Sequence, residues 1–224
     1  MGYILPEIYK SLAQETNKQI PNIFIETGTY KGGVAHQIIE RTKKLDDCFS
    51  HYYTIELGKD ICKCASRRYK YIEEYNYNPP FDKLHTDELD EEFDKVQSYF
   101  DNRLTLINGD SAIELKSLLD NSINEPACFW LDAHSGAQKY AKGIEDVPLF
   151  AELEAIKNHH IKGHIIAIDD VHLFGEKQYD KQGNVVCDYS HVTFDIVKEK
   201  ILEIDSSYDV GLYAPYQMEM ILAI

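Results

Sequence analysis

Short runs of apolar residues alternate with longer amphipathic segments along most of the chain. The apolar runs predict strands near residues 22–26, 51–56, 104–108, 128–132 and 164–169, each bounded by polar residues or glycine. Between them, apolar residues recur at helical spacing, as with Leu149, Leu153 and Ile156 and again across 194–204. This alternation predicts an α/β fold in which helices cover both faces of a mostly parallel sheet.

The last part of the chain has a different pattern. Residues 208–214 and 218–224 read as two further strands, separated by a short break that contains Pro215. They predict a C-terminal antiparallel hairpin, which brings the sheet to seven strands and places an antiparallel strand at or near one edge.

Two segments interrupt the alternation. Residues 73–102 are acidic and aromatic, with a helix break at Pro79 and a second helix expected over 88–100, so we predict a helical insertion over one sheet edge. Residues 171–189 directly follow the last parallel strand and contain a turn motif at 180–184, so we predict a loop that lines a cleft. The whole chain, 1–224, is expected to be one domain.

Charge excludes some partners. Lys and Arg total 23 against 38 Asp and Glu, and the net charge of -15 disfavours binding to a nucleic-acid backbone. No apolar run reaches the roughly 20 residues that span a bilayer, and the N-terminus lacks a basic region followed by an apolar stretch. We therefore expect a cytoplasmic protein with no membrane insertion. The five cysteines lack the paired spacing of a zinc site, so we expect reduced thiols.

Acidic residues close most of the predicted parallel strands. Glu26 ends the first strand, Glu56 the second and Asp132 the fourth, while Asp169 and Asp170 end the fifth. In a doubly wound sheet, ligands bind at the carboxyl ends of the strands. Like charges gathered there repel one another, so the arrangement predicts a ligand with hydrogen-bond donors, a positive charge or a metal ion.

The first of these strand ends leads into a glycine loop. Glu26, Thr27 and Gly28 are followed by Tyr30 and Gly32, and a helix is expected to begin there. Gly28 permits a tight turn, and Gly32 keeps a side chain out of the ligand's way at the helix start.

These motifs resemble those of the class I S-adenosylmethionine-dependent methyltransferases, which have a Rossmann-like sheet. The resemblance rests on the glycine loop, on Glu56 closing the second strand and on Gly109 and Asp110 after the third. It implies that the loop residues Glu26, Thr27, Gly28 and Gly32 approach the methionine part of the donor, that Glu56 binds the ribose and that Asp110 faces the adenine. Tyr30 and Asp132 are expected to contact the donor as well.

Two alternatives remain at this stage. An NAD(P)-dependent oxidoreductase needs the motif G-x-G-x-x-G, but Tyr30 occupies the position of its second glycine. Glu26 at the strand end also suits a cationic donor better than a diphosphate. The other alternative is a non-catalytic module that keeps the fold and binds a ligand or partner.

A second set of motifs resembles a narrower group, the metal-dependent small-molecule O-methyltransferases of macrolide, aminocoumarin and surface-polysaccharide pathways. The matching segments are 129–136, 147–153 and 166–172. The resemblance implies that Asp132, Asp169 and Asp170 hold Mg²⁺, a hard cation that prefers oxygen ligands. The alternative interpretation is that Asp132 merely ends a strand and Asp169 caps the next segment, without any ion.

The chemistry then needs a base. His134 and His172 each lie two residues after an acidic residue of this set, and a neutral imidazole can accept a hydroxyl proton near pH 7. We expect His134, His172 and Asp132 to be the catalytic residues, with His134 preferred as the base.

The acceptor is expected to be a small molecule, most simply a sugar or a surface-polysaccharide precursor. A phenol, or an oxyanion of a phosphorylated or phosphoramidate group, stays open, and Lys139 and Lys142 could offset such an anion. A homo-oligomer is also expected, because related small-molecule enzymes often form one.

Overall fold

The structure is a computed structural model that describes residues 19–30, 32, 49–75, 94–100, 102–135, 141–213 and 219–224. The strands, in chain order, are β1 (Ile23–Thr27), β2 (His51–Glu56), β3 (Val96–Tyr99), β4 (Leu104–Asn108), β5 (Ala127–Leu131), β6 (Ile165–Ile168), β7 (Lys177–Tyr179), β8 (Val185–Asp188), β9 (Val210–Tyr213) and β10 (Met220–Ala223). The α-helices of the described residues are α1 (Lys59–Tyr75), α2 (Ser111–Ser122), α3 (Leu149–Asn158) and α4 (Phe194–Ile204).

Eight of the strands form one mixed sheet in the order β3-β4-β2-β1-β5-β6-β10-β9. Strands β4, β2, β1, β5 and β6 are parallel, whereas β10 runs antiparallel to both β6 and β9. The chain moves outward from β1 in one direction and later returns to its other side with β5. Such a change of direction opens a crevice at the carboxyl end of the central strand, where ligands of doubly wound folds bind.

The strand register aligns the predicted site residues. Thr27 at the end of β1 pairs with Ile55 of β2 and with Leu131 of β5, and Leu131 pairs with Ile168 of β6. The next residue of each strand therefore lies at the same edge of the sheet. These residues are Gly28, Glu56, Asp132 and Asp169.

The sheet is buried on both faces, which explains why its central strands are almost wholly apolar. On one face, Ile25 and Phe129 belong to a core that includes residues of α2, α3 and α4. On the other face, Phe24 and Trp130 pack with residues of α1. Successive residues of β1 thus face opposite cores, as the pleat requires.

The expected α/β architecture with a C-terminal antiparallel hairpin is confirmed, and the five parallel strands lie where the pattern predicts them. The sheet has eight strands instead of seven, because part of the 73–102 segment extends it. There, Val96–Tyr99 form strand β3, which pairs antiparallel with β4, so the expectation of a helix up to residue 100 is wrong for this part. The Tyr99 hydroxyl donates to Ser66 of α1 and fixes β3 against that helix.

The segment 171–189 contains more structure than the predicted loop. Val171–Leu173 form a 3-10 helix, and β7 and β8 pair as a separate two-stranded sheet. The expected turn at 180–184 joins them, with the Asp180 carboxylate accepting from the backbone of Gln182 and Asn184.

Several expectations fall outside the described residues. They are the helix after Gly32, the break near Pro79, Lys139 and the chain break at Pro215. In the described part of the chain, no helix is long and apolar enough to cross a membrane.

Candidate functional site

A cleft of about 380 Å³ lies at the carboxyl ends of the parallel strands. This volume is within the range of roughly 300–1,000 Å³ typical of small-molecule sites. The predicted site residues that line it are Gly28, Tyr30, Glu56, Asp110, Asp132, His134, Asp169 and Asp170. Four further predicted residues, Glu26, Thr27, Gly32 and His172, are not among the described residues that line it.

Gly28 has a conformation and a position that exclude a side chain. Its φ of +80° is in the region that favours glycine, and a Cβ atom would lie 2.7 Å from the carbonyl carbon of Asp132. The loop after β1 therefore passes directly against the end of β5. This close approach forms one wall of the cleft.

Glu56 is fixed at the rim by the backbone. Its Oε2 accepts from the Tyr30 N–H at 2.8 Å, and its Oε1 accepts from the Gly58 N–H at 2.8 Å. Burial raises the pKa of Glu56 to about 7, although these N–H groups favour the charged form. The carboxyl group thus faces the cleft in one orientation.

Glu26 lies behind the loop and is 1% exposed. The Thr54 hydroxyl donates to its Oε2 at 2.7 Å, and the hydroxyl of Thr29 bonds to that of Thr54. This chain of hydrogen bonds ties the glycine loop to β2.

Asp110 begins helix α2 and closes the opposite side of the cleft. Its Oδ1 accepts from the Ala112 N–H at 3.0 Å as an N-cap, and its Oδ2 accepts from the Ile144 N–H at 2.9 Å. A Cβ on Gly143 would lie 2.7 Å from this Oδ2. Asp110 therefore holds the segment around residue 143 in place as well as lining the cleft.

His134 forms an ion pair with Asp170 at the other end of the cleft. Its Nε2 lies 3.0 Å from Asp170 Oδ2, and its Nδ1 lies 2.8 Å from the Ser135 carbonyl oxygen. Both neighbours only accept, so both ring nitrogens carry protons. Burial alone would lower the pKa of His134, but Asp170 outweighs it and raises the pKa to about 11. The expectation of a neutral His134 near pH 7 does not hold in this arrangement.

The charged forms of two acids beside this pair, Asp132 and Asp169, are disfavoured. Burial, followed by the charges of Asp169 and Asp170, raises the pKa of Asp132. Burial also raises the pKa of Asp169, whose Oδ2 is buried with no hydrogen-bond partner among the described residues. Asp170, a non-glycine residue at φ 57°, keeps a lowered pKa because its contacts with His134 outweigh its burial.

These side chains form a candidate metal centre. Ligand atoms of Asp132, His134 and Asp170 all lie within 4.8 Å of one another. The set differs from the predicted one by having His134 in the place of Asp169. Asp169 precedes Asp170 in the chain and lines the same cleft. Its Oδ2, which has no hydrogen-bond partner among the described residues, can bind a cation or accept a hydrogen bond.

His172 is more peripheral than expected. Its side chain is 66% exposed, and its Nδ1 is 3.9 Å from Asp170 Oδ1. In this arrangement it lies beside Asp170 and is not among the described residues that line the cleft.

Several residues around the site were given no role from the sequence, among them Ser111, Gln178 and Glu152. Ser111 and Gln178 line the cleft, and neither belongs to a motif that could have drawn attention to it. Glu152 is 1% exposed and lies directly behind the cleft, on the apolar side of α3. Its place between Leu149 and Ile156 in a helical stripe was visible in the sequence, since an acid there must be buried.

Comparisons with known proteins support the fold. No protein-family model and no curated protein matches the sequence. Among solved structures, the chain is similar to CalS11, a TDP-rhamnose 3'-O-methyltransferase of calicheamicin biosynthesis, with a TM-score of 0.52, 13% identity and coverage of 96% of this chain and 77% of that one. It is also similar to the methyltransferase domain of bacterial CtHen1-C, with a TM-score of 0.51, 10% identity and coverage of 97% and 96%. The chain therefore has the fold of class I methyltransferases.

Proposed function

We propose that this chain is an S-adenosylmethionine-dependent O-methyltransferase that acts on a small molecule. The observation that carries the proposal is the alignment of Gly28, Glu56 and Asp132 at one sheet edge, around a cleft that ends in the His134–Asp170 pair. One half of this cleft has the geometry of a donor site, and the other half has acid and base groups for an acceptor. The fold is that of methyltransferases.

The donor half fits a nucleoside with a cationic centre. The Glu56 carboxyl is held by two backbone N–H groups and still has acceptor capacity for ribose hydroxyls. In this proposal the Gly28 turn would approach the methionine part, and Asp110 and Gly143, which line the cleft, would border the adenine. The acidic surroundings stabilise the positive sulfonium.

Methyl transfer requires a bond exchange and the loss of a proton. The acceptor oxygen attacks the methyl carbon in line, the carbon–sulfur bond breaks and its electron pair stays on the now neutral sulfur. The acceptor proton must leave, and we propose that it goes to Nε2 of His134, since Nδ1 is committed to Ser135. His134 must first lose its own Nε2 proton to bulk water, and a cation bound by Asp170 would favour this loss because it offsets the carboxylate charge that holds the proton.

We further propose that a divalent cation such as Mg²⁺ binds beside His134. Asp132 and Asp170 would hold it, with Asp169 as the third ligand, or with His134 in that place if His134 is not the base. When bound, it supplies positive charge that lowers the pKa of an acceptor hydroxyl and competes for Asp170. Asp132 and Asp169 fit this role because their burial with like charges is otherwise uncompensated.

For the acceptor we propose a sugar hydroxyl, as in a precursor of a surface polysaccharide. Among the described residues that line the cleft, six are Asp or Glu and none is Lys or Arg. This charge favours a hydroxyl over a phosphate or phosphoramidate oxyanion. CalS11 is a TDP-rhamnose methyltransferase by name, which makes nucleotide-linked sugars the first acceptors to assay.

Calorimetric titration with S-adenosylmethionine and S-adenosylhomocysteine tests the donor site. Glu56→Ala should weaken binding by about 1–3 kcal/mol, or roughly 5- to 150-fold, because the ribose loses a charged partner. Glu145→Ala is the matched control, since Glu145 also lines the cleft but is exposed. Wild-type protein that binds neither compound would refute the proposal, and binding of NADH instead would favour an oxidoreductase.

A further inference from the structure

A second, much smaller pocket lies behind the acidic end of the cleft. It has a volume of about 10 Å³ and is enclosed by apolar side chains that include Phe174 and Tyr189. Asp132, Asp169, Asp170 and Glu152 provide its acidic lining. A pocket of this size accommodates about one water molecule.

Two carboxylate oxygens at this pocket are buried with no partner. They are Oε1 of Glu152, on a residue that is 1% exposed, and Oδ2 of Asp169, on a residue that is 7% exposed. By hydrogen-bond geometry neither has a partner among the described residues, and the Thr27 hydroxyl near Glu152 is likewise buried without one. Because an unsatisfied buried polar atom is costly, two of them on residues that line one pocket point to a shared ligand that donates to both.

Water has the required chemistry and size. It can donate one hydrogen to each carboxylate oxygen, and Asp132 offers further polar contact. A larger ligand would not fit in about 10 Å³.

We infer that Glu152 is a positioning residue that holds Asp169 through one bound water in this pocket. The inference rests on the proposed function only in what Asp169 does for a cation or acceptor. Glu152 is well placed for such a role, because it is fixed on α3 and lies near the hydroxyls of Thr27 and Ser111, beneath the donor half of the site. It thereby connects the floor of the donor half to Asp169 in the acceptor half.

The first test is a high-resolution crystal structure of the wild-type protein and of Glu152→Leu. We expect an ordered water within hydrogen-bond distance of both carboxylates in the wild type, and none in the variant. A wild-type pocket without water, or a direct contact between the two carboxyl groups, would overturn the inference.

The second test measures the affinity for Mn²⁺ by calorimetry. Loss of a group that orients a metal ligand typically weakens binding about 10- to 100-fold, and we expect this for Glu152→Leu. Glu152→Gln can still bond to the water and should stay within about threefold of the wild type. The controls are Glu154→Leu and Glu154→Gln, on the exposed side of the same helix, which should bind Mn²⁺ as the wild type does.

Two further readouts separate the possible causes. A purely structural role would lower the melting temperature and weaken S-adenosylhomocysteine and Mn²⁺ together, without rescue by Glu152→Gln, and would refute the inference. If the wild type itself binds no Mn²⁺, the cation proposal fails, and the crystallographic result alone decides the role of Glu152.

Discussion

Replacement of His164 should change the response of stability to pH by about 2 kcal/mol between pH 7 and pH 5, because this residue belongs to a hydrogen-bond chain that exists only when it is neutral. Its Nδ1 accepts from the Ala127 N–H at 3.0 Å, and its Nε2 lies 3.1 Å from Nδ1 of His159. The Nε2 of His159 lies 3.0 Å from the Ile123 carbonyl oxygen. An amide N–H only donates and a carbonyl only accepts, so one pair of neutral tautomers satisfies every contact.

The magnitude follows from the pKa. Burial, and then the neighbouring His159, lower the pKa of His164 from 6.5 to about 4. The unfolded chain therefore takes up a proton below pH 6.5 that the folded protein resists. The contribution to the free energy of unfolding is complete above pH 6.5 and declines as the pH falls, by about 2 kcal/mol at pH 5 and about 3 kcal/mol at pH 4.

Urea unfolding at pH 7 and at pH 5, followed by the fluorescence of the single tryptophan, Trp130, measures the free energy of unfolding at each pH. In His164→Asn, the amide oxygen can still accept from Ala127 but cannot titrate, so the variant should lose about 2 kcal/mol less than the wild type over this range. Glu56 and Glu152 also titrate in this range, but they do so in both proteins and cancel in the comparison. His191→Gln, at an exposed histidine, is the control. Equal pH dependence in wild type and His164→Asn would refute the reasoning.

Three other substitutions test the site directly. Gly28→Ala should lower the free energy of unfolding by more than about 2 kcal/mol, because a Cβ at this position meets the Asp132 carbonyl. Gly183→Ala is the control: a Cβ there has open space, so the variant should lose only about 1 kcal/mol through backbone strain. Chemical denaturation of both variants measures the difference. Mn²⁺ titrations of Asp169→Asn and His134→Gln identify the third ligand. Replacement of the residue that binds the ion should weaken Mn²⁺ binding tenfold or more, and replacement of the other residue should not. Equal weak effects of both variants would contradict a three-ligand site.

The parallel strands were predictable because each is a short apolar run with both faces buried, as Phe24 and Ile25 illustrate. Strand β3 was not, because Val96 and Gln97 are exposed or half-buried at a sheet edge and show no buried run. Its place depends on pairing with β4 and on the contact of Tyr99 with Ser66, which lie far apart in sequence.

The two halves of the candidate site differ in the same way. On the donor side, Gly28 and Glu56 directly follow or end buried strands, so the strand pattern alone aligns them. On the acceptor side, His134 lies two residues from Asp132 in the sequence, so their proximity was predictable. The ion pair between Nε2 of His134 and the Asp170 carboxylate was not. That depends on the left-handed backbone at Asp170, which directs the carboxylate toward a histidine 36 residues away in sequence.

This difference has a consequence for how specificity is divided in the proposed enzyme. Groups that touch the donor are positioned by main-chain geometry, such as the N–H groups at Glu56 and the turn at Gly28, so single side-chain changes elsewhere leave them in place. Groups at the acceptor end are held by one another, through charge and buried hydrogen bonds. A change in any one of them alters the protonation of the others, because their pKa values depend on shared contacts. Acceptor chemistry is therefore the part of this fold that can change with few substitutions, while donor binding stays constant.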